Sequence, residues 1–256
     1  MTEAAHQKLW RRFTPAQRVA RFGVYLAIVA AIVASVQTVE VIPEFLADAP
    51  EQVADLFARM WPVDLAYYPR GVHAALMETI HIASLGTLLA LVLAVPVGLL
   101  AAHNLCPFTP VNLLAKLVLV SSRSVNSLVW ALLFVGIFGP GALAGTLAIA
   151  FRSIGFVGKL FGEALDAAGA PALSRLSFGY WPQVKPAFWS IALFRWDINV
   201  RESAVLGLVG AGGIGMTLDA ALNLFQWDRV ALILLAIFAI VILAEIAVTW
   251  VRKLLL

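Results

Sequence analysis

Charge and cysteine are what this sequence has least of. Asp, Glu, Lys and Arg make up 13% of its 256 residues, roughly half the ~25% usual in soluble chains. A soluble domain needs a polar skin, and so few charged side chains cannot supply one, which excludes a soluble enzyme. The same apolar richness excludes a disordered chain. The single cysteine, Cys106, excludes a disulfide framework or a cysteine-rich metal site within the chain. Neither sign of charge dominates: the net is +3, too small to argue for nucleic acid. What the chain has instead is apolar surface, 62% hydrophobic residues and a mean hydropathy of +0.91. That is the composition of an all-α protein threading a membrane several times.

Crossing ~30 Å of hydrocarbon takes about 20 apolar residues in a helix. Six stretches qualify: Phe22–Val39, Ile82–Ala102, Lys116–Phe138, Ala142–Val157, Pro186–Val209 and Val230–Val251. The first comes after a basic head over 1–21, with Lys8, Arg11, Arg12, Arg18 and Arg21. It is longer than a secretory h-region and its cleavage pattern is poor, so it reads as a retained span. Spans three and four form a hairpin around Gly139-Pro140-Gly141. The interval 40–70 is acidic, with Val53, Phe57 and Met60 at helical spacing, which predicts a short amphipathic helix on the outer membrane surface. This gives three regions: the head, 22–74 with the first span and the outward segment, and a core over 75–253. Lys159–Lys185 reads as a polar inward loop. Basic residues before the first span and after the last (Arg252, Lys253) put both termini in the cytoplasm.

Gly210-Ala211-Gly212-Gly213-Ile214-Gly215 matches G-x-G-x-x-G, yet a dinucleotide site also needs a βαβ unit and a placed acid. The next stretch is more membrane helix instead. Gly210, Gly212, Gly213 and Gly215 therefore read as packing or gate glycines, where helices approach closely or break to line a cavity. His73 and His81 flank the start of span two, and Glu78 one turn before His81 makes two ligands with no third in local reach, so packing outweighs a metal site there.

Span five holds Arg195, Asp197, Asn199, Arg201 and Glu202. Ionisable groups in a membrane helix are costly and face the protein interior or a wet path. At ~100° per residue, Arg195, Asn199 and Glu202 fall at about 0°, 40° and 340°, one stripe. Asp197 and Arg201 fall opposite, at the i, i+4 spacing of an ion pair. Arg195, Asn199, Arg201 and Glu202 are the substrate-path candidates, with a purely helix-binding role as the alternative. Arg123 and Arg152 each read as closer to a cytoplasmic mouth.

The inward loop carries Glu163-Ala164, four residues, Gly169, then Gly179-Tyr180-Trp181-Pro182. This pattern resembles the "EAA" loop of ABC importer permeases. Arg123-Ser124-Val125, Leu128-Val129-Trp130-Ala131-Leu132-Leu133-Phe134, Gly158-Lys159-Leu160, Trp181-Pro182-Gln183-Val184, Arg195-Trp196-Asp197-Ile198-Asn199-Val200-Arg201 and Val205 through Gly215 resemble the phosphonate-importer permeases in particular. The likeness covers roughly 75–253. It departs at Asn126, where the family has Pro, at Trp181, where it prefers Leu, and in a shorter approach to Glu163.

The resemblance implies a type I (MetI-like) permease core with one added N-terminal helix, in a bacterial inner membrane. It implies half of a translocation channel for phosphonate, phosphite, a phosphate ester or phosphate. Glu163, Ala164 and Gly169 are then the contact with an ABC ATPase dimer. A second permease chain, identical or paralogous, and an extracytoplasmic substrate-binding protein complete the assembly. The chain lacks G-x-x-x-x-G-K-[ST], so ATP and Mg belong to the partner ATPase and this chain needs no cofactor of its own. A permease of the same architecture for another solute, such as methionine, is the alternative; intramembrane arginines favour anions over it. An intramembrane enzyme is a remote third reading, since the spans hold no nucleophile–base or metal constellation.

Overall fold

The computed structural model describes residues 13–39, 42–106, 108–167 and 181–255, and divides into two compact units, Met1–Asp55 and Leu56–Leu256. In the first unit, α1 (Pro15–Thr38) opens with a capping box. The Gln17 N–H donates to Thr14 Oγ1 at 3.4 Å, and the Thr14 N–H to Gln17 Oε1 at 3.1 Å. That cap, with Pro15 at the first helical position, starts the helix ahead of the expected Phe22. No residue of α1 is buried, and its length and apolar composition are those of a membrane span. The predicted amphipathic segment is α2 (Pro43–Met60), with Glu44, Asp48, Glu51 and Asp55 on one face. Its last residues belong to the second unit.

After the end of α2, the second unit continues with a 3-10 turn (Leu65–Tyr67) and a π turn (Tyr68–Val72) leading into α3 (His73–Ala101). Then come α4 (Thr109–Ser124), α5 (Ser127–Phe138), α6 (Ala142–Ala167), α7 (Trp181–Leu206), α8 (Ile214–Asn223) and α9 (Trp227–Leu255). Among the described residues, Pro15–Thr38, Leu65–Ala101, Ala142–Ala167 and Trp227–Leu254 are each long and apolar enough to span a membrane. Two bent pairs, α4 with α5 and Lys185–Val209 with α8, bring the number of apolar spans up to six where each pair is counted as one broken span.

Two expectations need correction. The single span over Lys116–Phe138 is instead two helices meeting at 90°. Val125 and Asn126 are both extended, which no helix can absorb, and Asn126 Oδ1 then caps α5 by accepting from the Leu128 N–H at 3.3 Å. The loop expected to start at Lys159 is helical as far as Ala167. Lys159 and Glu163 pair at 3.3 Å across one turn, so the charges that read as loop polarity support the helix. Likewise α7 starts at Trp181 and carries Pro186 inside it. The hairpin turn at Gly139–Gly141 stands as expected between α5 and α6.

The core of this unit is the crossing of α3 and α6. Gly86, Ala90, Ala94 and Gly98 recur every four residues on α3, all buried, and let α6 approach: Gly86 lies against Ile149 and Thr146, Gly98 against Gly158. A Cβ on Gly98 would sit 3.0 Å from the Gly158 carbonyl, and one on Gly162 3.3 Å from the Gly98 carbonyl. Small residues let backbones approach where lipid offers no hydrophobic drive between helices. Gly155 brings α6 closer still to α4, where an added Cβ would collide with the Leu119 carbonyl.

Gly145 tests this packing. A Cβ there would collide with the Ala211 carbonyl oxygen, whereas one at Gly136 on α5 meets nothing within 4 Å. Gly145→Ala is expected to lose about 1–3 kcal/mol from overpacking. Gly136→Ala should be neutral or gain up to ~1 kcal/mol of helix propensity. Thermal unfolding of the two purified variants in detergent checks the opposite signs.

Candidate functional site

Helix α7 carries the polar groups that the apolar composition makes conspicuous, and the structure sorts them onto two sides. Arg195 is 3% exposed and Asn199 0%. The Arg195 Nε donates to Ser153 Oγ of α6 at 2.8 Å, and its Nη2 reaches Glu202 Oε2 at 3.4 Å. Ser153 Oγ in turn donates to Asn199 Oδ1 at 3.2 Å, while Asn199 Nδ2 donates to Thr87 Oγ1 of α3 at 2.7 Å. Glu202 Oε1 receives a second guanidinium: Arg152 Nη1 lies 2.5 Å away and also 3.3 Å from Ser127 Oγ, in the first turn of α5. One carboxylate thus serves two arginines drawn from α6 and α7, with every link a charge-assisted or neutral hydrogen bond.

The other side of α7 holds Asp197 and Arg201, which form the i, i+4 ion pair. Asp197 is buried, while the Arg201 side chain is 48% exposed. The stripe Arg195–Asn199–Glu202 therefore faces α3 and α6 within the subunit, and Arg201 alone of the four path candidates opens outward. Arg152 is the residue that sequence reasoning misplaced. It lies ten residues into α6, about 15 Å along the helix axis, level with Glu202 rather than at a helix mouth. A lone arginine in an otherwise apolar run was the available signal.

The glycine segment breaks the span above this cluster. Gly210, Gly212 and Gly213 take φ of +83°, +84° and +72°, left-handed values that a side chain resists. Gly213 precedes α8, whose first N–H, at Ile214, is capped by Thr79 Oγ1 of α3 at 2.8 Å. Gly215 is helical and serves close approach instead: an added Cβ would collide with the Ala204 carbonyl. The Gly141 N–H donates to the Gly210 carbonyl at 2.9 Å, tying the break to the α5–α6 turn. The chain continues past Gly215 as helix rather than strand, so the glycines shape a bend of 40° in a span.

Glu163 and Ala164 sit on the last turns of α6. Gly169 lies outside the described residues. Among the described residues no three His, Cys, Asp or Glu side chains converge as metal ligands.

No protein-family model matches the chain. It is 38% identical over 204 residues to the phosphite transport system permease protein PtxC of Stutzerimonas stutzeri, covering 75% of this chain and 74% of that protein. It is 36% identical over 237 residues to the phosphate-import permease protein PhnE of Mycolicibacterium smegmatis; the match takes in 88% of this chain and spans 44% of that longer relative. The fold is similar to that of a chain of the MetNI methionine ABC transporter solved in an inward-facing conformation, with a TM-score of 0.61 at 17% identity over 75% of this chain and 97% of that one.

Removing one partner from a buried ion pair costs about 3–5 kcal/mol, because the remaining charge is stranded. Glu202→Ala is expected to approach that loss, as it strands two guanidiniums. Arg201→Gln, with its half-open side chain, should cost far less. Unfolding temperatures and detergent-extracted yields of the two variants check the order, and Glu202→Ala/Arg152→Gln should recover part of the loss.

Proposed function

The chain belongs to the phosphite- and phosphonate-type permeases of ABC importers, and on that premise we propose that it forms half of the translocation path for a small phosphorus oxyanion. The observation that carries this reading is the charge balance around Glu202. Two guanidiniums share one carboxylate in a low-dielectric setting, which leaves an excess positive charge that attracts anions. Arg152 is partly exposed at that cluster and Arg201 is half open on the other side of α7. An arginine's planar fork offers two parallel donors to a phosphorus oxyanion. Asn199 and Arg195 hold the helix in register, and Glu202 sets the direction of the Arg152 guanidinium. A tight site is not needed, since a path must release what it admits.

The energy comes from a separate ATPase dimer, met by the end of α6 at Glu163 and Ala164 and by the segment through Gly169. A second permease chain completes the channel, and an extracytoplasmic binding protein delivers the solute. In this reading both termini are cytoplasmic, α2 lies outside, and the bend at Gly210–Gly215 belongs to the gate. A methionine-type importer shares the architecture, but nothing about methionine calls for an excess of intramembrane arginine.

Uptake of labelled phosphite, phosphonate, phosphate and methionine is compared in cells with and without the chain. Loss of a phosphorus oxyanion with methionine unchanged is expected; loss of methionine alone would reverse the substrate reading. Arg152→Lys and Arg201→Lys should each lower the rate per assembled complex by about tenfold, the worth of one lost charge-assisted bond. Wild-type rates in both lysine variants would remove these arginines from the path, and full activity in Asp197→Arg/Arg201→Asp would make that couple a scaffold.

Orientation has its own check. With Cys106→Ser as background, single cysteines replacing Asp55 and Ser174 should label from opposite faces with an impermeant reagent. Labelling of both from outside is incompatible with six spans.

A further inference from the structure

Away from the Glu202 cluster, α4 and α6 enclose a second polar feature at the end of the bundle where α3 finishes. Lys116, Leu119 and Arg123 of α4, with Lys159, Glu163 and Asp166 of α6, line a cavity of about 150 Å³. That is room for roughly five waters at ~30 Å³ each, or for one phosphate group with part of its hydration. Lys116 and Arg123 are seven residues apart, so they share a face two turns apart. Helical side chains lean toward the helix N-terminus, so both lean toward the α3–α4 turn, the end that the proposed orientation places in the cytoplasm.

The carboxylates in this cavity are already engaged. Glu163 takes Lys159 at 3.3 Å, and Asp166 Oδ1 accepts the Asn104 N–H at 3.3 Å. Neither Lys116 nor Arg123 has an ion-pair partner among the described residues. Three cations against two carboxylates leave the cavity positive. The same helix presents Leu113, Leu117 and Val120 open to the surroundings, so an uncovered apolar surface adjoins the basic cavity. A phosphate group entering here would therefore have hydrocarbon surface beside it, which suits an amphiphile better than a free ion.

We propose that this cavity between α4 and α6 binds the phosphate group of an anionic phospholipid, held by Lys116 and Arg123, with its acyl chains lying along Leu113, Leu117 and Val120. Its place beside Glu163 puts the lipid next to the segment assigned to ATPase contact. The inference rests on the membrane placement above and not on the identity of the transported solute.

The test is native mass spectrometry of the purified full-length chain after exchange into mixed micelles of phosphatidylglycerol and phosphatidylcholine. Wild-type protein should retain phosphatidylglycerol preferentially. Lys116→Gln and Arg123→Gln should each lower that retention about fivefold, the effect of one basic residue on an anionic headgroup. Lys116→Arg/Arg123→Lys should keep it, which separates charge from folding. Equal retention of the two lipids by wild-type protein, or full retention in Lys116→Gln/Arg123→Gln, would overturn the proposal. Displacement of phosphatidylglycerol by millimolar inorganic phosphate would assign the cavity to a free anion and overturn the lipid source. None of these readouts involves uptake, so failure of the transport reading and failure of this one are separately visible.

Discussion

Backbone-to-backbone approach between α3 and α6 is the contact on which the rest of the second unit depends. In hydrocarbon, apolar side chains gain nothing by leaving lipid for one another, so helices associate through close packing and hydrogen bonds. Gly86, Ala90, Ala94 and Gly98 remove the side chains that would hold α3 off α6, and Gly158 and Gly162 do the same from the other side. Gly155 draws α4 in. Once α6 is seated, Arg152 and Ser153 lie within hydrogen-bond reach of α7.

The polar cluster is the second layer of that construction. Arg195, Asn199, Ser153 and Thr87 need partners because they are buried and have no water to fall back on. Thr87, Ser153 and Asn199 are short neutral links that carry no charge into the bilayer, and they fix α7 against α3 and α6. Trp196 Nε1 adds a further tie, donating to Ser84 Oγ at 3.0 Å. The charged members are unequal in number, two arginines to one glutamate. This imbalance is the basis of the anion path proposed above.

Both bends in the spans use local chemistry to end one helix and begin another. At Val125-Asn126 an extended pair and an asparagine cap turn the chain through 90°. At Gly210–Gly213 left-handed glycines do so, and the new helix is capped from α3 by Thr79. The first bend brings Ser127 to Arg152. The second brings Ala211 against Gly145. At the second bend the irregular backbone is tolerated because Ala211, Gly212 and Gly213 are buried in protein.

The sequence alone determined the class of the molecule, because hydrocarbon imposes a length and a composition on every span: the apolar runs, the α5–α6 turn and the amphipathic α2 come from counting. The 3.6-residue period also determined which charges of α7 share a side, and the Asp197–Arg201 pair is local enough to be read from spacing. Helix ends were not legible in this way, since the Thr14 cap and the Lys159–Glu163 pair extend helices through residues whose polarity resembles that of loops. The three-dimensional structure alone decided that Arg152 meets Glu202, fifty residues away in the chain. It also decided that Arg195 and Asn199 are sealed between α3 and α6 while Arg201 opens outward. Periodicity gives the angle between two stripes on one helix and says nothing of what stands opposite either. That is settled by long-range packing, here by how closely glycine and alanine let α3 and α6 approach.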